Sequence, residues 1–296
     1  MYKIVKAEQL SEKNFLMVVE APWVVRSCQP GQFLIVKIDE VGERIPLTIC
    51  DYDREAGTVT IVFQTIGAST ERMAKLKAGD YFMDVTGPLG RPSDLVEMDP
   101  EELKKMNILF VGGGVGAAPV YPQVKWMAEH GCNCEVIIGA KTKELIMLEE
   151  EMKNVAVTYV ATDDGSYGYH GMIPSLIEYL VNSGKKYDRV VAIGPVIMMK
   201  FVCVLTKKLG LPTVVSMNPI MVDGTGMCGA CRIMVGGEVK FACVDGPEFD
   251  GHLVDFDLAM ERQRTYKTEE GRALLRYREG LSYSGKSSGK ECGGDK

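Results

Sequence analysis

A chain of 296 residues with 46% hydrophobic and 25% charged residues has the composition of a folded globular protein and is long enough for two or three domains with their own cores. Its 40 acidic against 34 basic residues leave a formal charge of −6, and no Lys/Arg block stands out, so the electrostatic footprint of a nucleic-acid binder is missing. The longest apolar runs are broken by glycine and proline and fall short of the ~20 residues that span a bilayer. No signal or transit pattern opens the sequence, so a cytoplasmic protein is expected. Nine cysteines are an odd number. Six are scattered (Cys28, Cys50, Cys132, Cys134, Cys203 and Cys292) and three are clustered, which reads as metal binding plus buried thiols and not as a disulfide framework.

Residues 1–100 carry short β-branched or alternating runs, NFLMVVEA, QFLIVKID, GTVTIVFQTI and DYFMDVTG, separated by turn signals. This spacing predicts an antiparallel β barrel. Three strings inside it stand out: GERIPLTICDYD with Arg44, Pro46, Leu47 and Thr48; TIGASTERM with Gly67, Ser69 and Thr70; and GPLG beginning at Gly87. Cys50 is expected to be a small buried hydrophobe.

Over residues 101–216 the pattern alternates buried strand, turn and helix, beginning with ILFVGGG and VYPQVKWMAEHG and ending with VIMMKFVCVLTKKLG and PTVVSM. That is the pattern of an α/β doubly wound parallel sheet. Gly112, Gly113, Gly114 and Gly116 follow the first strand directly and precede a helix, where glycine lets the backbone turn and approach a dinucleotide pyrophosphate at the helix start. Close packing alone is the competing reading, because GGGxG is not the usual glycine spacing. Gly194 and Pro195, and Asp163 and Asp164, fall at two further strand ends. Carboxylates at Asp163 or Asp164 would accept ribose hydroxyls and repel a 2′-phosphate, favouring NAD(H), whereas Lys141 and Lys143 would welcome a phosphate.

Residues 217–260 form a glycine-rich unit in which Asp223, Cys228, Cys231 and Cys243 are spaced Dx4Cx2Cx11C. Plant-type two-iron ferredoxins use Cx4Cx2C with a distant fourth cysteine, so this is the same frame with aspartate as first ligand of a [2Fe-2S] cluster. Glycines at 224, 226 and 229 relieve crowding around such a cluster, and a hairpin turn at Gly236-Gly237 brings Cys243 back. Two alternatives stay open: a structural zinc site with the same donors, or a fourth ligand elsewhere, at Cys203 or Asp245. Residues 261–296 read as a helical extension with a flexible tail, assigned to partner binding. His130, His170 and His252 show no nucleophile or metal spacing, and no side chain is expected to be catalytic.

The barrel strings, in this order and followed by GGGVGAAP, resemble the ferredoxin–NADP reductase superfamily. The resemblance implies that the barrel holds FAD. Arg44 would meet its pyrophosphate, Leu47 would stand where an aromatic residue usually covers the ring, and Thr48 would reach the polar edge. Gly67, Ser69 and Thr70 would form a second flavin-contacting turn, with GPLG as the hinge to the nucleotide domain. Barrel, nucleotide domain and two-iron loop together resemble the electron-transfer subunits of dihydroorotate dehydrogenases. RIPLTI and VDGTGMCGAC resemble still more closely the small subunits of NADH-dependent reduced ferredoxin:NADP oxidoreductases. Such a subunit would pass electrons between NAD(H), FAD and the cluster as the NAD-facing half of a heterodimer. Its larger iron–sulfur flavoprotein partner would take NADPH electrons and split them between ferredoxin and NAD. Pairing with a dihydroorotate-oxidising subunit, or a zinc-stabilised module that senses NAD(H), are the alternatives.

Overall fold

The computed structural model describes residues 1–280, so the expected tail beyond them, with Cys292, lies outside the described residues. The chain opens with β1 (Tyr2–Gln9), β2 (Asn14–Glu20), a short helix α1 (Pro22–Val25), β3 (Phe33–Lys37), β4 (Arg44–Asp53) and β5 (Thr58–Gln64). Helix α2 (Ala68–Met73), β6 (Tyr81–Phe82) and β7 (Asp84–Leu89) complete the first unit. Its strands form one antiparallel sheet in the order β6-β1-β2-β5-β4-β3-β7. The outermost strands, β6 and β7, are neighbours in the chain, so the sheet curls into the expected, nearly closed barrel. Period-2 alternation sends Met17, Val19, Leu34, Val36, Ile49, Val59, Ile61 and Phe63 into its core.

β3 departs from alternation. Phe33, Leu34, Ile35 and Val36 are all buried, because Leu34 and Val36 face the barrel interior while Phe33 and Ile35 face a second core on the outside. A strand apolar on both faces needs cover on both.

After α3 (Pro100–Leu103), capped by the Asp99 carboxylate on Glu101 N–H, the second unit alternates β8 (Ile108–Gly113), α4 (Ala117–Glu129), β9 (Cys134–Ala140), α5 (Glu149–Lys153) and β10 (Val157–Thr162). It continues through β11 (Tyr169–His170), α6 (Ile173–Asn182), β12 (Arg189–Ile193), α7 (Val196–Leu209) and β13 (Thr213–Ser216). The sheet order β11-β10-β9-β8-β12-β13 is parallel throughout. Ile108 and Phe110 pack on α4, whereas Leu109 and Val111 pack with α6 and α7, so the central strand is buried on both faces. The Ile173, Leu176, Ile177 and Leu180 spacing turns one stripe of α6 to the sheet. α7 stops at Gly210, whose φ of +68° suits a left-handed cap.

The last segment returns to both units. β14 (Arg232–Val235) and β15 (Glu238–Phe241) form the expected hairpin, with Gly236 and Gly237 at φ of +60° and +82°. β16 (Glu248–Asp250) adds antiparallel to β13 at the edge of the second sheet, a joint that a three-residue strand does not announce in sequence. Helix α8 (Phe256–Arg262) packs on that sheet's core through Phe256 and Ala259. α9 (Lys267–Arg278) returns to the barrel, where Arg278 Nη2 lies 2.6 Å from Glu71 Oε1 on α2. Among the described residues no helix is long and apolar enough to cross a membrane.

Candidate cofactor sites

On β4 the alternation sorts the barrel candidates. Leu47 pairs with Leu34 and packs with Ile45 and Ile49 toward the barrel core. Arg44, Pro46 and Thr48 therefore share the outer face. Pro46 lies opposite Ile35 and Thr48 opposite Phe33, the two residues of the outside core. Cys50, on the same face farther along, is buried with Val62, Ala118, Met147 and Leu148 where the barrel meets the second unit.

The turn at Gly67 is tightened by Thr70. Its Oγ1 accepts the N–H groups of Ile66 (3.0 Å) and Gly67 (3.1 Å) and donates to the Gly67 carbonyl. The Ser69 hydroxyl bonds the Glu43 carboxylate, which ties this turn to the start of β4. A Cβ on Gly67 would meet nothing within 4 Å, so the backbone there stays open to approach, whereas a Cβ on Gly87 would come within 2.9 Å of Leu34 Cβ. Packing on β3 demands glycine at 87.

In the second sheet the chain runs outward from β8 through β9 to β10, then crosses to β12 and β13, so the direction of winding changes between β8 and β12. Gly112–Gly116 and Gly194-Pro195 stand at the carboxyl ends of those two strands, the crevice where open parallel sheets bind ligands. A Cβ on Gly116 would fall 2.2 Å from the Ile193 carbonyl, one on Gly112 2.8 Å from Ala117 Cα, and one on Gly113 2.2 Å from Met198 Sδ. Those three glycines let β8, α4 and the β12 turn pack closely. Gly114 differs, for it has φ of +56° and open space where a Cβ would point.

Asp163 and Asp164 lie at the end of β10, two strands from that crevice. Asp164 Oδ1 accepts the Ser166 N–H (3.0 Å) and hydroxyl (2.7 Å), which hold its carboxyl below the usual range. Ser166 Oγ also accepts the Lys143 N–H at 2.9 Å. The Asp164 carboxylate and the Lys141–Lys143 loop are thus stitched together, and the two features that pull the cofactor preference in opposite directions share one corner.

The glycine-rich loop folds tightly because Gly224, Gly226 and Gly229 all adopt left-handed φ, at +77°, +81° and +68°. It gathers the four candidate ligands into two pairs. Asp223 Oδ1 accepts the Thr225 N–H at 2.9 Å, and that bond, with further ones from Cys228, holds its carboxyl below the usual range. The second pair, the Cys231 and Cys243 sulfurs, lies 3.2 Å apart, with the Gly226 N–H directed at Cys243. Two pairs of donors of this kind on a bare backbone fit the ligand set that a two-iron cluster would need. Among the described residues no three His, Cys, Asp or Glu side chains are gathered around a single point. Cys203 sits apart, buried in the core of the second sheet. Asp245 Oδ2 accepts the Phe241 N–H at 2.7 Å, a role in shaping the loop that carries Cys243.

This loop sits on the barrel. Cys231, Ala242 and Cys243 form one buried cluster with Phe33 and Ile35, joined by Leu89, Met221 and Phe241. Burying Phe33 and Ile35 there is worth about 1.5–3 kcal/mol each. A Cβ on Gly224 would come within 2.7 Å of Leu89 and 3.0 Å of Ile35. Arg91, just past the GPLG hinge, donates through its backbone N–H to the Gly246 carbonyl and through Nε to the Val244 carbonyl.

Sequence reasoning missed one buried polar group at this junction. Gln123 on α4 donates to Glu248 on β16, and Ser93 of the hinge segment donates to Gln123 Oε1 at 3.3 Å. No local motif marks these three, since they come from separate units. Two of the histidines are engaged by neighbours: His130 stacks on Trp126, and His252 bonds Thr206.

Comparison with known proteins agrees with this layout. Residues 218–255 match the iron–sulfur cluster binding domain of dihydroorotate dehydrogenase B, and residues 110–204 match the oxidoreductase NAD-binding domain. A protein from the adh 3′ region of Clostridium beijerinckii is 60% identical over the full length of both chains. The Thermotoga maritima homologue of the dihydroorotate dehydrogenase B (NAD(+)) electron transfer subunit is 42% identical over 90% of this chain and 92% of its own. The Geobacillus thermodenitrificans electron transfer subunit is 32% identical over 83% and 94%. Among solved structures, that of the NADH-dependent reduced ferredoxin-NADP oxidoreductase, described for flavin-based electron bifurcation, superposes with a TM-score of 0.88 at 42% identity over 94% of this chain and 98% of its own. A Neisseria gonorrhoeae ferredoxin NADP+ reductase with bound FAD and NADP shares the fold at a TM-score of 0.57 and 17% identity, over 71% of this chain and 90% of its own.

Proposed function

The chain belongs to the family of dihydroorotate dehydrogenase B electron-transfer subunits and their homologues, and from that premise we propose that it relays electrons between NAD(H), FAD and a [2Fe-2S] cluster inside a larger oxidoreductase. One observation carries the reading: Cys231 and Cys243 share a core with Phe33 and Ile35, whose cross-strand partners on β4 are Thr48 and Pro46. The cluster loop and the proposed flavin strand are two layers of one packed joint.

When bound, nicotinamide exchanges a hydride, a flavin accepts electrons together or singly, and an iron–sulfur cluster carries one at a time. The chain's own residues bind and orient. Asp223, Cys228, Cys231 and Cys243 would hold the cluster. Arg44, Pro46 and Thr48, with the Gly67–Thr70 turn and Gly87, would form the FAD seat, and Leu47 backs it from the opposite, barrel-core face of β4. Gly112, Gly113, Gly114, Gly116, Gly194 and Pro195 would shape the NAD(H) crevice, with Asp163 and Asp164 at its far corner. The domain limits we propose are residues 1–100 for the flavin barrel, 101–216 for the nucleotide unit, 217–260 for the cluster unit and 261–296 for the extension. Hydride transfer needs no protein acid at the reacting atom, and we assign no catalytic side chain.

Its relatives are subunits of heteromeric enzymes, and a larger subunit is therefore the partner. We assign that partner as an iron–sulfur flavoprotein that couples NADPH and ferredoxin to the NAD-facing chain. The likeness of 94% of this chain to the reduced ferredoxin-NADP oxidoreductase structure supports this choice over a dihydroorotate-oxidising one. We assign the chain to the cytoplasm, where a reducing environment keeps thiols available to iron.

Anaerobic purification of the chain with its co-expressed partner tests the reading. Flavin, iron and acid-labile sulfide attributable to this subunit, with absorbance that bleaches on adding NADH, support it. A colourless chain that NADH leaves unchanged overturns it.

A further inference from the structure

Arg44 opens β4, yet its side chain serves the cluster loop. Its Nε donates to the Val222 carbonyl at 3.0 Å, a contact between residues 178 positions apart. Its Nη1 lies 3.8 Å from Asp84 Oδ2 on β7, and the same oxygen accepts the Thr86 hydroxyl at 3.1 Å. The guanidinium is therefore oriented from the barrel side and spends its directed N–H on a carbonyl of the loop. Val222 is the residue immediately before Asp223. On the other side of that aspartate, the Thr225 N–H bonds its Oδ1, and Gly224 lies so close to the barrel that an added Cβ would fall 2.7 Å from Leu89 and 3.0 Å from Ile35. The peptide that presents Asp223 is thus held before, at and after the ligand.

We infer that Arg44 is a positioning residue for the iron–sulfur loop: by holding the Val222 carbonyl it sets the direction in which Asp223 offers its carboxylate. The inference rests on the cluster reading above and goes beyond it, because the resemblance assigns this arginine to a flavin phosphate alone. An oxygen ligand makes the need sharper. A carboxylate on a flexible loop has two equivalent oxygens and several rotamers, so the backbone ahead of it must be fixed if one oxygen is to meet iron reproducibly. Arginine suits this work because its planar fork keeps Nε aimed at the carbonyl while Nη1 faces Asp84.

The test uses the full chain, reconstituted anaerobically with iron and sulfide, as wild type, Arg44→Gln and Arg44→Lys. Two readouts decide: the rate of iron loss to a chelator, and the electron paramagnetic resonance spectrum of the dithionite-reduced cluster. Arg44→Gln should lose iron about tenfold faster, the factor carried by one hydrogen bond of ordinary worth, and should shift or broaden the resonance. Arg44→Lys, keeping the charge and a donor, should recover part of both. Thermal unfolding of the apo chains should stay within a few degrees, separating ligand positioning from general loosening. A wild-type resonance and wild-type iron loss in Arg44→Gln overturn the inference whatever happens to FAD affinity, which is read separately from flavin fluorescence. A wild-type chain that takes up neither iron nor flavin overturns the cluster reading itself, and so is told apart from failure at Arg44.

Discussion

The Gln123 amide donates to Glu248 Oε1 across 2.6 Å, and Glu248 Oε2 is enclosed beside it without a hydrogen bond of its own among the described residues. This contact joins the first helix of the nucleotide unit to the strand by which the cluster segment closes onto the same sheet. Burial is the main cause that pushes the Glu248 carboxyl up, to about 7, aided by the nearby Asp94 charge and opposed by Ser93, Gln123 and Arg189.

That shift has a sign. A folded-state value near 7 against the ordinary 4.5 means that the native chain keeps a proton which the unfolded chain gives up between those pH values. On this group's account, stability is fully present below about pH 4.5, falls as pH rises to 7 and is level above it. Glu248→Gln keeps an acceptor for Gln123 and removes the titration. Relative to wild type, the variant should therefore gain about 2 kcal/mol in urea unfolding between pH 5 and pH 8. Parallel pH profiles for the two chains would refute the assignment.

The glycines after β8 should separate by mechanism. Gly116→Ala drives a methyl group into the Ile193 carbonyl and should cost about 3 kcal/mol of stability. Gly114→Ala meets no atom and bears only the left-handed φ, about 1 kcal/mol. If Gly114 is the open face of the dinucleotide crevice, its alanine variant should weaken NADH binding more than its melting curve suggests. Denaturation and NADH titration of both variants check the order, and a Gly114 variant with unaltered NADH affinity removes it from the site.

Asp223 should answer to ligand chemistry. Asp223→Ala should lower the iron retained per chain and disturb the reduced-cluster resonance, whereas Asp223→Cys, which restores the four-thiolate frame, should retain iron with a changed spectrum. Unchanged spectra in both would move the fourth ligand to another residue.

Arg278 and Glu71 form an exposed pair between α9 and α2, and Tyr277 lies under Lys75 at 4.7 Å. Such contacts are worth less than about 1 kcal/mol. Arg278→Ala should leave global unfolding nearly unchanged while raising amide exchange across Lys267–Arg278. A loss of several kcal/mol would show that the extension is part of the barrel's own core and not a strap laid over it.

Much of the site was legible because its determinants are local. Asp223, Cys228 and Cys231 lie within nine residues, and left-handed glycines at 224, 226 and 229 bend so short a span in one way. The strand and helix periods likewise announced the barrel and the parallel sheet, since burial on one or two faces leaves its mark every second or every third to fourth residue. Gly112, Gly113 and Gly116 show the limit of that reading. Their spacing announced a tight turn, but only the neighbouring Ala117, Met198 and Ile193 reveal that packing already requires them, leaving Gly114 as the free position.

What the chain's order of residues determined by itself was therefore the set of parts: a barrel, a doubly wound sheet and a loop with candidate iron ligands at ferredoxin-like spacing. Tertiary structure decided how those parts meet. It turned Phe33 and Ile35 outward beneath Cys231 and Cys243, sent the Arg44 guanidinium to Val222, and enclosed Glu248 beside Gln123. The reason is that a backbone turn or an amphipathic period is set by neighbours a few bonds away. A contact between residues over a hundred positions apart exists only once two cores have chosen which faces to bury against each other.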